Sequence, residues 1–558
     1  MPEQVGQFKA FENRNYSAAG DRATNSHETL RRAVVCCVPA PSLILGAMSV
    51  SAVHGVAVRG ATELSGAQYD AAVLVLLPGA PPPQALEDFV AAARQLDAAL
   101  DQNVSVLACP RVAGGRLVLS PTGPLTPYDD VRSVGEAACA GVRRALEAGA
   151  RRPLLLLQPL RDDWPRADLV ALLGALEALY VPLQIREEFP DNALVKRTPE
   201  ALGVYGEGLQ GPLDLLIREA VALEIARGAA RDIGGADPER MAPARAAQFV
   251  RELFARGAVR VRELAEPAAL AREYPLFAAV DRAAASVERH RGVIVFLEYT
   301  PESYERTVML VGKGVTYDTG GCDIKAGGAM AGMSRDKCGA AAVAGFFKAC
   351  ELLQPPIKVV GALALVRNSV GEHAYVADEL LRARRGLAVR VGNTDAEGRL
   401  AMADLLAEMH ERALGERAPH LYTVATLTGH AERAYGAGYT AALDNHAARA
   451  LQHAHKLRAS GERLGDMLEV STLRREDLAE HRGRCAGDDL HQAGSRPSSA
   501  QPRGHQAPAA FLLLAAGLQA GRVPYTHLDV AASAGCLPAP PTAAPLLALA
   551  AHYGLVRC

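Results

Sequence analysis

Short apolar runs alternate along this chain with longer stretches whose apolar positions recur every three or four residues. In the first half, runs at 33–38, 72–77, 104–108 and 153–157 predict strands, and 84–100, 128–148 and 168–179 predict helices. Gly79-Ala80-Pro81-Pro82-Pro83 is a breaker between two of them. The glycine-rich stretch 199–211 reads as a hinge into a long helix at 212–231. Beyond it, strands are predicted at 307–311, 358–365, 388–391, 421–425 and 526–530. Helices are predicted at 336–353 and 397–413, with a buried one near 510–517. This alternation predicts an α/β fold in two domains: a polar tail at 1–31, an N-terminal α/β domain at 32–205, and a second domain at 206–558. The second should hold a mostly parallel sheet covered on both faces. The polar stretch 480–506 reads as a solvent-exposed linker or as a lid or inter-subunit loop.

Composition narrows the function. The 558 residues are 49% hydrophobic and 22% charged, ordinary for a globular protein. Sixty basic against 62 acidic residues give a net charge of −2, which argues against nucleic acid or an anionic membrane as partner. No apolar run reaches the roughly 18 residues of a membrane span. The first residues lack an apolar core, so no secretory signal is expected. Ten scattered cysteines without C-x-x-C pairs suggest reduced thiols and a cytoplasmic setting.

The chemistry gathers between positions 313 and 399. Asn393-Thr394-Asp395-Ala396-Glu397-Gly398-Arg399-Leu400 sets two carboxylates two residues apart and follows them with a guanidinium. Upstream lie Lys313, Asp318, Lys325 and Asp336. The motifs follow predicted strand ends, where ligands gather in parallel sheets. Four carboxylates would balance two divalent cations, and hard oxygen donors suit Zn²⁺, Mn²⁺ or Mg²⁺. Lys313, buried beside such ions, would lose its proton and could ligate as an amine. Lys325 could stay charged and stabilise an oxyanion, while Arg399 could hold a planar anion by its fork. No H-E-x-x-H, G-x-S-x-G or phosphate loop is present, and His430 and His527 read as structural.

These segments resemble the leucyl aminopeptidase family, the cytosolic dinuclear metallo-aminopeptidases. The octapeptide at 393–400 carries most of the resemblance. Val311-Gly-Lys-Gly314, Asp318-Thr-Gly-Gly321, Ala425-Thr-Leu-Thr-Gly429 and His527-Leu-Asp-Val-Ala531 extend it. Tyr317-Asp-Thr-Gly-Gly321 and Pro502-Arg-Gly-His-Gln506 look most like a metazoan aminopeptidase-like branch. The resemblance implies a macro-like N-terminal α/β domain and a C-terminal α/β/α catalytic domain. It implies that Asp318, Asp395 and Glu397 bind an exchangeable metal and that Lys313, Asp318, Asp336 and Glu397 bind a tighter one. Lys325 and Arg399 would be catalytic, Arg399 holding a bicarbonate. Met333, Thr426, Gly429 and Ala531 would line the side-chain pocket, with Leu427 touching the substrate nearby. A metal-activated hydroxide would cut the first residue from short peptides inside a cytoplasmic homohexamer.

Several residues depart from the family pattern. Asp323 adds a negative charge near Lys325, Ala331 stands where Asp is common, and Lys337 follows Asp336 directly. The 367–379 stretch also differs, and Ala534 replaces a larger residue near the pocket. These departures motivate a rival reading, a catalytically weak scaffold derived from an aminopeptidase. The complete set of seven chemical residues argues against it.

Overall fold

A computed structural model of the chain describes residues 52–159, 163–209, 211–494, 496 and 500–557. The predicted tail at 1–31 and strand at 33–38 lie outside the described residues. The first half builds one sheet from β1 (Ala52–Val53), β2 (Val56–Ala61), β3 (Ala71–Leu76), β4 (Ser105–Ala108), β5 (Arg116–Pro121), β6 (Pro153–Leu157) and β7 (Ala201–Gly206). Its order is β1-β2-β7-β6-β3-β5-β4, with five parallel strands at the centre and β1 and β4 antiparallel at the edges. β3 and β6 are buried along their whole length, as strands covered on both faces must be. The stretch read as a hinge contains β7, which lies inside this sheet. Its glycine reflects packing, since a Cβ on Gly203 would stand 2.4 Å from the Tyr69 ring.

The second half continues with β8 (Arg260–Leu264), β9 (Val293–Tyr299), β10 (Thr307–Asp318), β11 (Lys358–Asn368), β12 (Leu380–Arg382), β13 (Ala388–Arg390), β14 (Pro419–Ala425), β15 (Thr440–Asp444), β16 (Leu468–Thr472), β17 (Leu490–His491) and β18 (Tyr525–Asp529). Eight of these form a mixed sheet in the order β16-β15-β18-β14-β10-β11-β9-β8, whose central four strands are parallel. The predicted strand at 388–391 belongs instead to a small sheet, β12-β13-β17. β10 runs on to Asp318 rather than stopping at Val311, because its residues are buried almost throughout.

The helix Leu213–Gly235 packs against helices Ala167–Glu177 and Cys338–Leu353, and one apolar cluster runs from the first sheet to the second. Charge is buried inside that helix. Glu224 pairs with Arg231 and, at 2.9 Å, with Arg227; Arg231 reaches Glu177 at 2.8 Å and donates Nε–H to the Pro541 carbonyl at 3.1 Å. Burial pushes the Glu224 carboxyl up, but Arg231 and Arg227 outweigh it and hold it at about 2. At the far side, His453 lies against His420 (ring centroids 3.7 Å apart) and meets the His552 ring edge-on (4.7 Å). Burial depresses all three, His453 to about 3 and His552 to about 4.

Glu224→Ala leaves two buried guanidinium groups sharing the single carboxylate of Glu177 and is expected to cost about 3–5 kcal/mol in urea unfolding; an unchanged midpoint contradicts this. Because the folded-state histidine values lie below the ordinary one, the unfolded chain binds more protons between about pH 4 and 6.5. Stability should therefore fall as pH drops through that window, by about 1.4 kcal/mol per pH unit for each histidine. In His453→Gln the slope should be shallower by about one histidine's share.

Candidate metal centre

The seven residues of the sequence motifs come together at the carboxyl ends of the central strands. Lys313 lies within β10, where Gly398 lets its stem pass: a Cβ there would stand 2.6 Å from Lys313 Cε. Its ammonium meets Asp336 at 2.6 Å and Glu397 at 2.9 Å, and donates to the Thr426 carbonyl at 2.9 Å. Asp318 ends the strand. Its Oδ1 accepts from Gly320 N and Asn368 Nδ2, both at 2.8 Å, and its Oδ2 faces Lys325 at 2.9 Å. Lys325 also reaches Asp395 at 2.5 Å. Asp336 sits on the 3-10 turn Met333–Lys337, and Glu397 opens the helix Glu397–Ala413.

Electrostatics show a surplus of negative charge. Burial and the neighbouring carboxylates raise Glu397 to about 8, while burial is the main cause that lifts Asp336 to about 6. Asp395 is raised as well, by burial and then by Asp318. Burial pulls the two lysines down, but the surrounding carboxylates outweigh it and hold both above the ordinary lysine range. Oxygens from Asp318, Asp395 and Glu397 lie within 4.8 Å of one another. Glu397 Oε2 and Asp336 Oδ2 are buried without a hydrogen-bond partner. Two ammonium groups therefore leave the carboxylates short of positive charge and short of partners, and the donor set fits divalent cations. Arg399 donates to the Gln492 carbonyl at 2.9 Å, but its buried Nε has no partner, which fits a small anion.

These seven residues and Met333, Thr426, Leu427, Gly429 and Ala531 all line one cavity of about 800 Å³. Sequence reasoning missed some of its neighbours. His430, read as structural, lines the same cavity, whereas His527 is fully buried and bonds Thr423 Oγ1 at 2.7 Å. Ala493, Gly494, Arg496, Gln501 and Gly504 bring the polar 480–506 stretch to the cavity wall. Gln492, fully buried, accepts from Gly392 N and Asn393 N at 3.0 Å and donates to the carbonyls of Asn393 and Ala396. An isolated glutamine in a polar loop gives no sequence signal of that kind.

Lys337 turns away from the cluster. Its side chain is fully buried and donates to the carbonyls of Ala236, at 2.9 Å, and Ser334. It ties the turn carrying Asp336 to the end of the helix Leu213–Gly235. Lys337→Ala removes that tie, leaves buried carbonyls unpaired, and is expected to cost about 2–5 kcal/mol in urea unfolding. A stability change near zero would mean that the tie is not formed.

The chain has relatives among known proteins. Residues 228–545 match the catalytic domain of the cytosol aminopeptidase family. The chain is 43% identical over 454 residues to a Caenorhabditis elegans protein named "Putative aminopeptidase", covering 80% of this chain and 85% of that one. It is 34% identical over 406 residues to a "Probable cytosol aminopeptidase" of Leifsonia xyli, covering 71% and 76%. Among solved structures, "Bottromycin maturation enzyme BotP in complex with Mn" aligns with a TM-score of 0.71 at 25% identity, covering 87% of this chain and 98% of that one. Among the described residues no helix is long and apolar enough to cross a membrane. By family match, identity and coverage, the chain belongs to the cytosol aminopeptidase family, a family of metallo-exopeptidases.

Proposed function

We propose that this aminopeptidase removes N-terminal residues from short peptides at a centre of two divalent cations. The observation that carries the reading is the buried ring of carboxylates whose Glu397 Oε2 and Asp336 Oδ2 lack partners. Asp318, Asp395 and Glu397 would hold the more exchangeable ion, and Lys313, Asp318, Asp336 and Glu397 the tighter one. A bound ion pair supplies a nucleophile at neutral pH, a Lewis acid for the carbonyl and an anchor for a free α-amino group. Zn²⁺ and Mn²⁺ suit the donors, as Mg²⁺ does, and the solved relative described as a complex with Mn favours manganese as the first ion to try.

The chain's own groups do the rest. Lys325, held between Asp318 and Asp395, donates to the oxyanion that develops on the scissile carbonyl. Arg399 holds a bicarbonate-sized anion at its unpartnered Nε. Met333, Thr426, Gly429 and Ala531 receive the first side chain, and Leu427 packs beside it. The buried Ala534 at the same cavity leaves room for a side chain bulkier than leucine. We assign the chain an N-terminal α/β domain through residue 205, a catalytic domain from 206, a homohexameric assembly and a cytoplasmic location.

The scaffold reading rested on Asp323, Ala331 and Lys337. Lys337 points away from the carboxylates, and Asp323 bonds to Thr394 rather than to Lys325. Aminoacyl amides and dipeptides offered to Mn²⁺- or Zn²⁺-loaded protein should lose their first residue, and N-acetylated peptides should not. Lys325→Ala is expected to lower kcat by about 10²–10³-fold, and Asp395→Ala to abolish turnover. Wild type no faster than these variants, with two metals bound per chain, would return the scaffold reading.

A further inference from the structure

Thr394 is fully buried, and every polar group it has is engaged. Its carbonyl accepts from Tyr375 OH at 2.8 Å and from Asn368 Nδ2 at 3.1 Å. The same Asn368 amide donates to Asp318 Oδ1, so the threonine and that carboxylate share one anchor. The hydroxyl donates to the Gly320 carbonyl at 2.7 Å and accepts from Asp323 N at 2.7 Å. The remaining group is the Thr394 N–H, which donates to Asp323 Oδ2 at 2.7 Å. Asp395 follows immediately, and its own N–H is capped by Asn393 Oδ1 at 2.7 Å.

These bonds divide into two kinds. Asp323 N to Thr394 Oγ1 is a backbone tether, and together with Lys325 N to the Thr319 carbonyl (2.9 Å) it survives any change of side chain at 323. The Asp323 carboxylate instead fixes the peptide plane between Asn393, whose side chain caps the Asp395 N–H, and Thr394. A buried N–H left without an acceptor is unfavourable, and the Asn393–Thr394 peptide can relieve that by rotating, which shifts the two residues that hold Asp395 in place.

We infer that Asp323 is a positioning residue of the metal centre: it orients Thr394 and thereby sets how tightly the site containing Asp395 holds its ion. The inference rests on the two-metal reading and deepens it. The acid beside Lys325 thus supports the centre rather than opposing it. The effect works through an acceptor oxygen rather than through charge, so an amide at 323 should serve nearly as well. Of the tighter ion's ligands only Asp318 touches this set, and its bonds from Gly320 N and Asn368 Nδ2 do not involve Asp323, so the tighter ion should keep its affinity.

The test is Mn²⁺ binding to the metal-stripped full chain, followed by the electron paramagnetic resonance signal of the free ion, in wild type, Asp323→Ala and Asp323→Asn. In Asp323→Ala the weaker of two sites should lose about 10–100-fold in affinity, with the tighter site and the Tm of the metal-free protein unchanged. Asp323→Asn should bind like wild type. Equal affinities in wild type and Asp323→Ala overturn the inference. So does a loss at both sites with a lowered Tm, or an asparagine variant as weak as alanine. Wild type that takes up no Mn²⁺ removes the two-metal reading, and this inference with it.

Discussion

Four carboxylates share a buried space with two ammonium groups, and most of the surrounding architecture can be traced to that imbalance. Burial opposes ionisation of Glu397 and Asp336, yet the chain crowds them against Asp318 and Asp395. Lys313 bridges Asp336 and Glu397, Lys325 bridges Asp318 and Asp395, and Asp318, Asp395 and Glu397 lie within 4.8 Å of one another. Such an arrangement is costly unless further positive charge arrives. Cations are therefore part of the site's electrostatic logic rather than an accessory to it.

Holding like charges together requires a rigid frame, and the fold provides it from several directions. β10 delivers Lys313 and Asp318 from the centre of the larger sheet, and the helix Glu397–Ala413 delivers Glu397 by its first residue. Arg335, beside Asp336, donates to the carbonyls of Gly535 (3.3 Å) and Ala539 (2.5 Å). Two residues further on, Arg231 holds the Pro541 carbonyl. The wall bearing Cys536 and Leu537 is thus pinned from the metal side by Arg335 and from the first sheet's side by Arg231. The buried ion network of the helix Leu213–Gly235 reaches the cavity by this route.

Much of this was legible in the sequence, and the failures have physical causes. Pro153–Leu157 and Glu397–Ala413 match their predicted limits because each is bounded by clear breakers or charge. The 199–211 stretch misled because glycine marks flexibility in a loop but close packing in a sheet, and Tyr69 decides which applies at Gly203. Lys313 looked like a residue after a strand because two glycines hid the continuation of β10. The twelve candidate residues were visible because catalytic chemistry demands particular side chains at fixed spacings. Gln492 and Arg335 were not, because their work is done through backbone carbonyls and amides that any sequence possesses, and Asn368 was not, because its bond to Asp318 spans 50 residues of chain. Lys337 and Asp323 looked like liabilities only while their partners, Ala236 and Thr394, were unknown.

The central claim is that the carboxylate ring is a two-cation centre, and anomalous diffraction from crystals soaked in Mn²⁺ tests it most directly. The account predicts two peaks inside the ring of Asp318, Asp336, Asp395 and Glu397, the second touching Lys313. An empty ring, or manganese bound elsewhere while Lys313 and Lys325 keep their carboxylate pairs, would contradict it.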